Sequence, residues 1–326
     1  MTEQERERLR KQKEKIVNRR RKLRRRKKLR SLIKGTITAG LIVILATFAA
    51  KTAVTLIEQR RQEREETVPY EETSPLTFLP KESGQAAAAG QARSRYDEEL
   101  IAGLEEMKDV NPMVDKILYN LDQYPETLLR LLVKDEDTLD FVLGYPAKKG
   151  TVSANIDLTE EYKKGKIPLL LQWDQRWGYG EYGDGIIGLD GCGPVCLSMV
   201  AVGVLEDVSV TPDRVAQLAE KRGYIEDAGT SWDLMTEGAR SLGLVAEELP
   251  LSENTVIETL KAGHPIICSM RKGDFTTTGH FIVLTGYEDG RITVNDPNSR
   301  KRSEKTWDFD TLQYQIKNLW SYTAGQ

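Results

Sequence analysis

The chain has 326 residues, ample for two domains with sizeable cores at roughly 150 residues each. Its three cysteines are too few for a disulfide framework, which excludes a small cross-linked scaffold. The net charge of −3 averages two unlike parts: residues 1–34 hold 17 Lys/Arg and 4 Glu, which leaves 30 basic and 46 acidic residues, a net of −16, for 35–326.

Between these parts runs an apolar stretch, Gly35 to Ile57. A bilayer span needs about 20 mostly apolar residues, and this one suffices if Lys51, near its far end, snorkels to the interface. Basic flanks stay in the cytoplasm, so the expected topology is a single pass through the cell membrane at 35–57. Residues 1–34 are then a cytoplasmic segment, and everything beyond 57 is extracytoplasmic. This reading is preferred to a cleaved signal peptide, whose basic region would be unusually long, and to a nucleic-acid-binding arm. The lipid bilayer is therefore an expected partner and nucleic acid is not.

Residues 58–95 are polar, with Pro69, Pro75, Pro80 and the Ala-rich piece 85–91, and lack periodic apolar positions; they read as a flexible stem. From 96 to 160 the pattern predicts a helical neck of four short amphipathic helices. Leu100, Ile101, Leu104 and Met107 mark the first. Val114, Ile117, Leu118 and Leu121 follow a cap at Asn111-Pro112, Leu128 to Leu132 follow Pro125, and Leu139 to Leu143 precede Tyr145-Pro146.

Beyond Lys163-Lys164-Gly165-Lys166 a second domain, 161–326, is expected. Ile167 to Gln172 reads as a short strand, and a Gly/Tyr-rich loop runs from Gly178 to Asp190. Pro194 then marks the start of an apolar helix, with Cys192 at or just before its first turn. The dipole and free N–H groups there favour a thiolate, and the flanking Gly191 and Gly193 would admit a substrate backbone. Further helices are expected after Thr211-Pro212, Ser231 and Ser252, then strands at 265–270, 280–287 and 291–295, and a late helix after Asp310. Helices first and sheet second predict an α+β fold.

Only two histidines are available as a base. His264 sits at a helix-to-strand turn and reads as a surface residue. His280 opens a strand, and Asp296 directly follows the next one. With a two-residue Asp289-Gly290 turn, Asp296 would pair with Val283 and face away from His280. With a three-residue Glu288-Asp289-Gly290 loop it pairs with Ile282 and shares the histidine's face, where it could orient the imidazole as the third member of a triad.

A thiol at a helix start, a histidine on a strand and an acid on the next are the parts of a cysteine hydrolase. Residues from about 165 to 326 resemble a C39-like peptidase domain of the papain-like superfamily. The blocks are Pro168-Leu169-Leu170-Leu171-Gln172-Trp173-Asp174-Gln175-Arg176-Trp177, Gly191-Cys192-Gly193-Pro194, Gly279-His280-Phe281 and Asn295-Asp296-Pro297, in that order. The resemblance implies a papain-like fold, with Cys192 as nucleophile, His280 as base and acid, Asp296 as orienter and Gln172 as oxyanion donor, Gln175 being the fallback. It implies a peptide or protein substrate and no cofactor; no metal-ligand spacing or phosphate-cradling loop appears. No transporter or ATPase segment accompanies the domain, so leader cleavage coupled to export does not carry over.

The expectation is thus a membrane-anchored extracytoplasmic cysteine peptidase. The alternatives are a non-catalytic module that binds peptide or cell wall, and a peptidoglycan hydrolase or transamidase of the same fold. Cys196 and Cys268 are expected to be buried free thiols rather than a disulfide.

Overall fold

The structure is a computed structural model, and it describes residues 96–226 and 229–325. All of them belong to the compact unit Pro80–Gln326. The basic segment, the expected span at 35–57 and the stem lie outside the described residues. Among the described residues no helix is long and apolar enough to cross a membrane.

The neck consists of α1 (Glu98–Val110), α2 (Val114–Leu118), α3 (Glu126–Lys134) and α4 (Leu139–Lys148). Asp97 caps α1 by accepting from the Leu100 N–H, which satisfies one of the donors a helix start leaves free. The leucine stripes of α3 and α1 are buried. They pack against one another and against Leu171, Trp173, Tyr179 and Ile186, which lie beyond the neck. Tyr179 stacks on Phe141 at 4.5 Å between ring centres and donates its hydroxyl to the Phe141 carbonyl at 2.8 Å. The neck and the segment 171–186 therefore share one core.

The second domain is built on a six-stranded antiparallel sheet. Its strands are β1 (Leu244–Glu248), β2 (Ile266–Met270), β3 (His280–Glu288), β4 (Arg291–Asn295), β5 (Thr306–Trp307) and β6 (Ile316–Ala324). They lie in the order β1-β6-β2-β3-β4-β5. The helix α5 (Cys192–Leu205) is covered on all sides over residues 193–202. It packs on one face of the sheet through Ile267, Phe281, Val283 and Trp320, and α6 (Pro212–Arg222) packs beside it through Val215, Ala216 and Ala219. The other face holds Ile266, Cys268, Ile282 and Leu284 against Val256 and Leu260 of α7 (Glu253–Lys261). Helices on both faces explain why β2 is buried at every position and why Phe281–Leu284 of β3 form an apolar run instead of an alternating one.

Two local expectations change. Residues 167–172 form no strand: Pro168 has no N–H to give a ladder, and the carbonyls of Ile167 and Pro168 instead accept from the side-chain amide of Asn295 at 3.1 and 2.9 Å. The edge strand β1 carries no clear apolar signal, because only Leu244 of its five residues is buried. The helix expected after Ser231 begins as a π-turn at Leu234–Gly238 before its α-helical end.

Leu128 is fully buried in the shared core. Leu128→Ala is expected to destabilise the protein by about 2–5 kcal/mol, the range for a cavity that cannot collapse, as read by urea unfolding followed through tryptophan fluorescence.

Candidate active site

Cys192 is the first residue of α5, and its N-cap is Gly191. The glycines around it serve the protein's own packing. A Cβ on Gly193 would lie 2.7 Å from Thr230, and one on Gly191 would lie 2.6 Å from the Ile187 carbonyl oxygen. Thr230 is fixed in turn by a 2.8 Å hydrogen bond with the Tyr182 hydroxyl. The thiol itself is partly exposed in a cleft of about 1240 Å³, whose wall also includes Gln172, His280 and Asn298.

His280 opens β3, paired with Met270, and is 8% exposed. Its Nε2 lies 2.8 Å from Oδ1 of Asp296. An ionised carboxylate only accepts, so this bond places the proton on Nε2 and leaves Nδ1 outside it, while the Cys192 thiol lines the same cleft.

The hairpin reaches this arrangement with the two-residue turn and a distortion in place of the three-residue loop. The turn is the two-residue Asp289-Gly290, with φ of 50° and 80°, and Glu288 pairs with Arg291. Left there, that register would set Asp296 opposite Val283 and on the wrong face. A bulge at Thr285 shifts it, so that Val283 pairs with Asn295. One residue further along, Asp296 stands opposite Ile282, diagonal to His280. The extra residue is held by a 3.0 Å contact between the Thr285 and Thr293 hydroxyls.

Asp296 is fully buried. Oδ1 also accepts from the Asn298 N–H at 2.8 Å, Oδ2 accepts from Nε of Arg302, and the Asp296 N–H donates to the Ser303 hydroxyl at 2.9 Å. Burial alone would raise this carboxyl; His280, and after it Arg302, outweigh burial and hold it below its ordinary value. For His280, burial would push the imidazole down, but Asp296 and then Cys192 prevail and raise it to about 9.

Gln172 is 2% exposed, and its N–H donates to the Pro297 carbonyl at 2.7 Å, which ties it to the segment just after Asp296. Its Nε2 donates to the carbonyls of Gly188 and Leu189 at 2.9 and 3.1 Å, while its Oε1 is buried with no donor. Gln175 is exposed, bonded to Lys148 at 2.7 Å, and forms no part of the cleft wall. His264 is exposed as well.

Cys196 and Cys268 are free and buried, and burial raises both thiols. They pack in the clusters on opposite faces of the sheet, which keeps them from bridging. Arg302, Ser303 and Lys134 are site residues that the sequence did not point to. Ser299-Arg300-Lys301-Arg302-Ser303 has the composition of a solvated turn, and Lys134 lies in the neck, far from the matching blocks.

The family model that matches residues 164–326 is described as the Peptidase_C39 like family. The chain belongs to this family. Among solved structures it is similar to the peptidase domain of Streptococcus ComA, a bi-functional ABC transporter involved in a quorum sensing pathway. That match has 21% identity, covers 42% of this chain and 93% of that one, and has a TM-score of 0.34. A double glycine motif protease from an AMS/PCAT transporter, in complex with the leader peptide, matches at 18% identity over 49% and 94% of the two chains, with a TM-score of 0.32. A protein described as a C39-like peptidase from Bacillus anthracis matches at 15% identity over 49% and 95%, with a TM-score of 0.31. No curated protein matches the chain.

A histidine whose folded-state pKa exceeds its ordinary value stabilises the protein below that ordinary value, and the contribution is lost as pH rises through the folded one. For His280 the window runs from about 6.5 to about 9. With only two histidines in the chain, NMR titration of the imidazole protons is expected to give one exposed residue and one with a midpoint near 9. Asp296→Asn is expected to move that second midpoint down; an unchanged midpoint would mean that the carboxylate does not govern it.

Proposed function

We propose that this protein is a cysteine peptidase that hydrolyses peptide bonds through an acyl-enzyme on Cys192. The observation that carries the reading is the buried His280–Asp296 pair at 2.8 Å beside a thiol at a helix start, inside an open cleft. In this mechanism His280 takes the Cys192 proton through Nδ1, and the sulfur attacks the scissile carbonyl carbon. The negative charge that develops on the carbonyl oxygen is met by the free N–H of Cys192 and by the Gln172 amide. That role needs one Nε2 hydrogen of Gln172 to face the thiol, with the other shared between the adjacent Gly188 and Leu189 carbonyls. Collapse of the tetrahedral species breaks the C–N bond, and the imidazolium protonates the leaving amine. Water, deprotonated by His280, then cleaves the thioester and restores the thiol. Asp296 stabilises the imidazolium throughout, with Arg302 keeping the carboxylate ionised.

The proposed setting is extracytoplasmic, on a single-pass anchor at residues 35–57 with residues 1–34 inside. Its support is the apolar run and the excess of 17 Lys/Arg over 4 Glu on one side of it. Protease added to intact cells should then remove residues 161–326 and spare the N-terminal segment; protection of the C-terminal domain would refute the topology.

Cys192→Ala should abolish peptide cleavage, and Gln172→Ala should lower kcat by about 10²–10³-fold, as loss of one oxyanion donor does. Product analysis on linear peptides and on muropeptides separates a peptidase from a cell-wall hydrolase or transamidase. A wild type and a Cys192→Ala variant that behave alike in every assay would point to a binding module instead.

A further inference from the structure

The helix α3 lies outside the family-matched region, yet its last residue reaches the wall of the cleft. Lys134, its last residue, lines the same cavity as Cys192, His280, Gln172 and Asn298. Thr127, near its start, lines a second hollow of about 690 Å³ together with Pro125, Tyr145 and Lys149. The two hollows share the lining residues Leu189, Asp190, Glu226 and Gly229, so the groove at Cys192 adjoins the second hollow. From Thr127 to Lys134 a helix advances about 10 Å, the length of three extended residues.

Lys134 is exposed in this groove, and no carboxylate among the described residues lies within ion-pair distance of it. The two nearest acids are already committed. Asp135 faces Ser299 at 3.4 Å and Lys301 at 3.7 Å, and Asp296 is held by His280 and Arg302. Desolvation, then the Arg302 guanidinium, lower the Lys134 ammonium from its ordinary value, against a smaller opposite pull from Asp296 and Asp135.

We infer that Lys134 binds a carboxylate of the substrate, making α3 a specificity wall. The preferred substrates are peptides with an acidic side chain or a free C-terminal carboxylate in the part that lies in the Cys192 cleft, near the scissile bond. The inference rests on the peptidase reading for its scissile bond but not for its binding chemistry. A lysine of the neck thereby contributes a contact that the family domain alone does not contain.

The test uses the purified full chain and a synthetic peptide library made with free and with amidated C-termini, cleavage being read by mass spectrometry. Wild-type cleavage is expected to favour carboxylate-bearing peptides. The preference should fall about tenfold in Lys134→Ala, the effect of one exposed charge-assisted hydrogen bond. It should persist in Lys134→Arg and turn toward Lys and Arg side chains in Lys134→Glu. Loss of the preference on amidation identifies the terminal carboxylate as the source, and its survival identifies acidic side chains. In parallel, binding of the same peptides to Cys192→Ala and to Cys192→Ala with Lys134→Ala is measured by calorimetry. Equal preference in wild type and Lys134→Ala overturns the inference while the peptidase reading stands. Absence of any cleavage, with binding that still depends on Lys134, overturns the peptidase reading and supports the inference. Binding that ignores Lys134, with no cleavage, overturns both.

Discussion

The constraint on which the site depends is the burial of one ionised carboxylate. Asp296 has no exposed surface, and a charge so placed is tolerable only when cations and donors surround it; removing one partner of such a pair costs about 3–5 kcal/mol. Here His280 supplies one partner, Arg302 a second and the Asn298 N–H a third. Each comes from a different local structure: the start of a strand, a short helical turn and the loop between them. The carboxylate therefore fixes the relative positions of β3, β4 and the segment 298–303. The same electrostatics that make the burial tolerable also favour the protonated imidazole.

The thiol is held by a separate device. An apolar helix sealed on all sides offers its first turn to the cleft, and Gly193 allows Thr230 to pack against that turn more closely than any side chain would permit. The two remaining cysteines are separated by the sheet and raised by burial, which leaves Cys192 as the accessible sulfur. The oxyanion candidate is bound to both parts of the site: the Gln172 main chain reaches the Pro297 carbonyl and its side chain reaches the turn preceding Cys192.

The neck is tied to this machinery from the other side. Its leucines share a core with Tyr179 and with Leu171 and Trp173, the residues that flank Gln172 in sequence. Asp135 and Glu136 face Ser299 and Lys301, in the turn that carries Arg302. Helices that read from sequence as a neck thus help to place both Gln172 and the guanidinium behind the Asp296 carboxylate. They also put Lys134 in the groove.

The sequence by itself determined the pieces whose signals are local. Pro194 after Gly-Cys-Gly announces a helix start, Ser252 announces a cap, and the apolar-rich runs at 265–270 and 280–287 announce strands, because propensity and periodicity act over a few residues. It also singled out Cys192, His280, Asp296 and Gln172 by type and order. Only the tertiary structure decided how they meet. The bulge at Thr285 has no composition signal, since an extra residue in a strand is set by pairing with β4 and not by its own preference. Arg302 and Lys134 escaped for the same reason: a cation in a polar turn or at a helix end looks solvated until a buried carboxylate, or a groove lacking one, is folded against it.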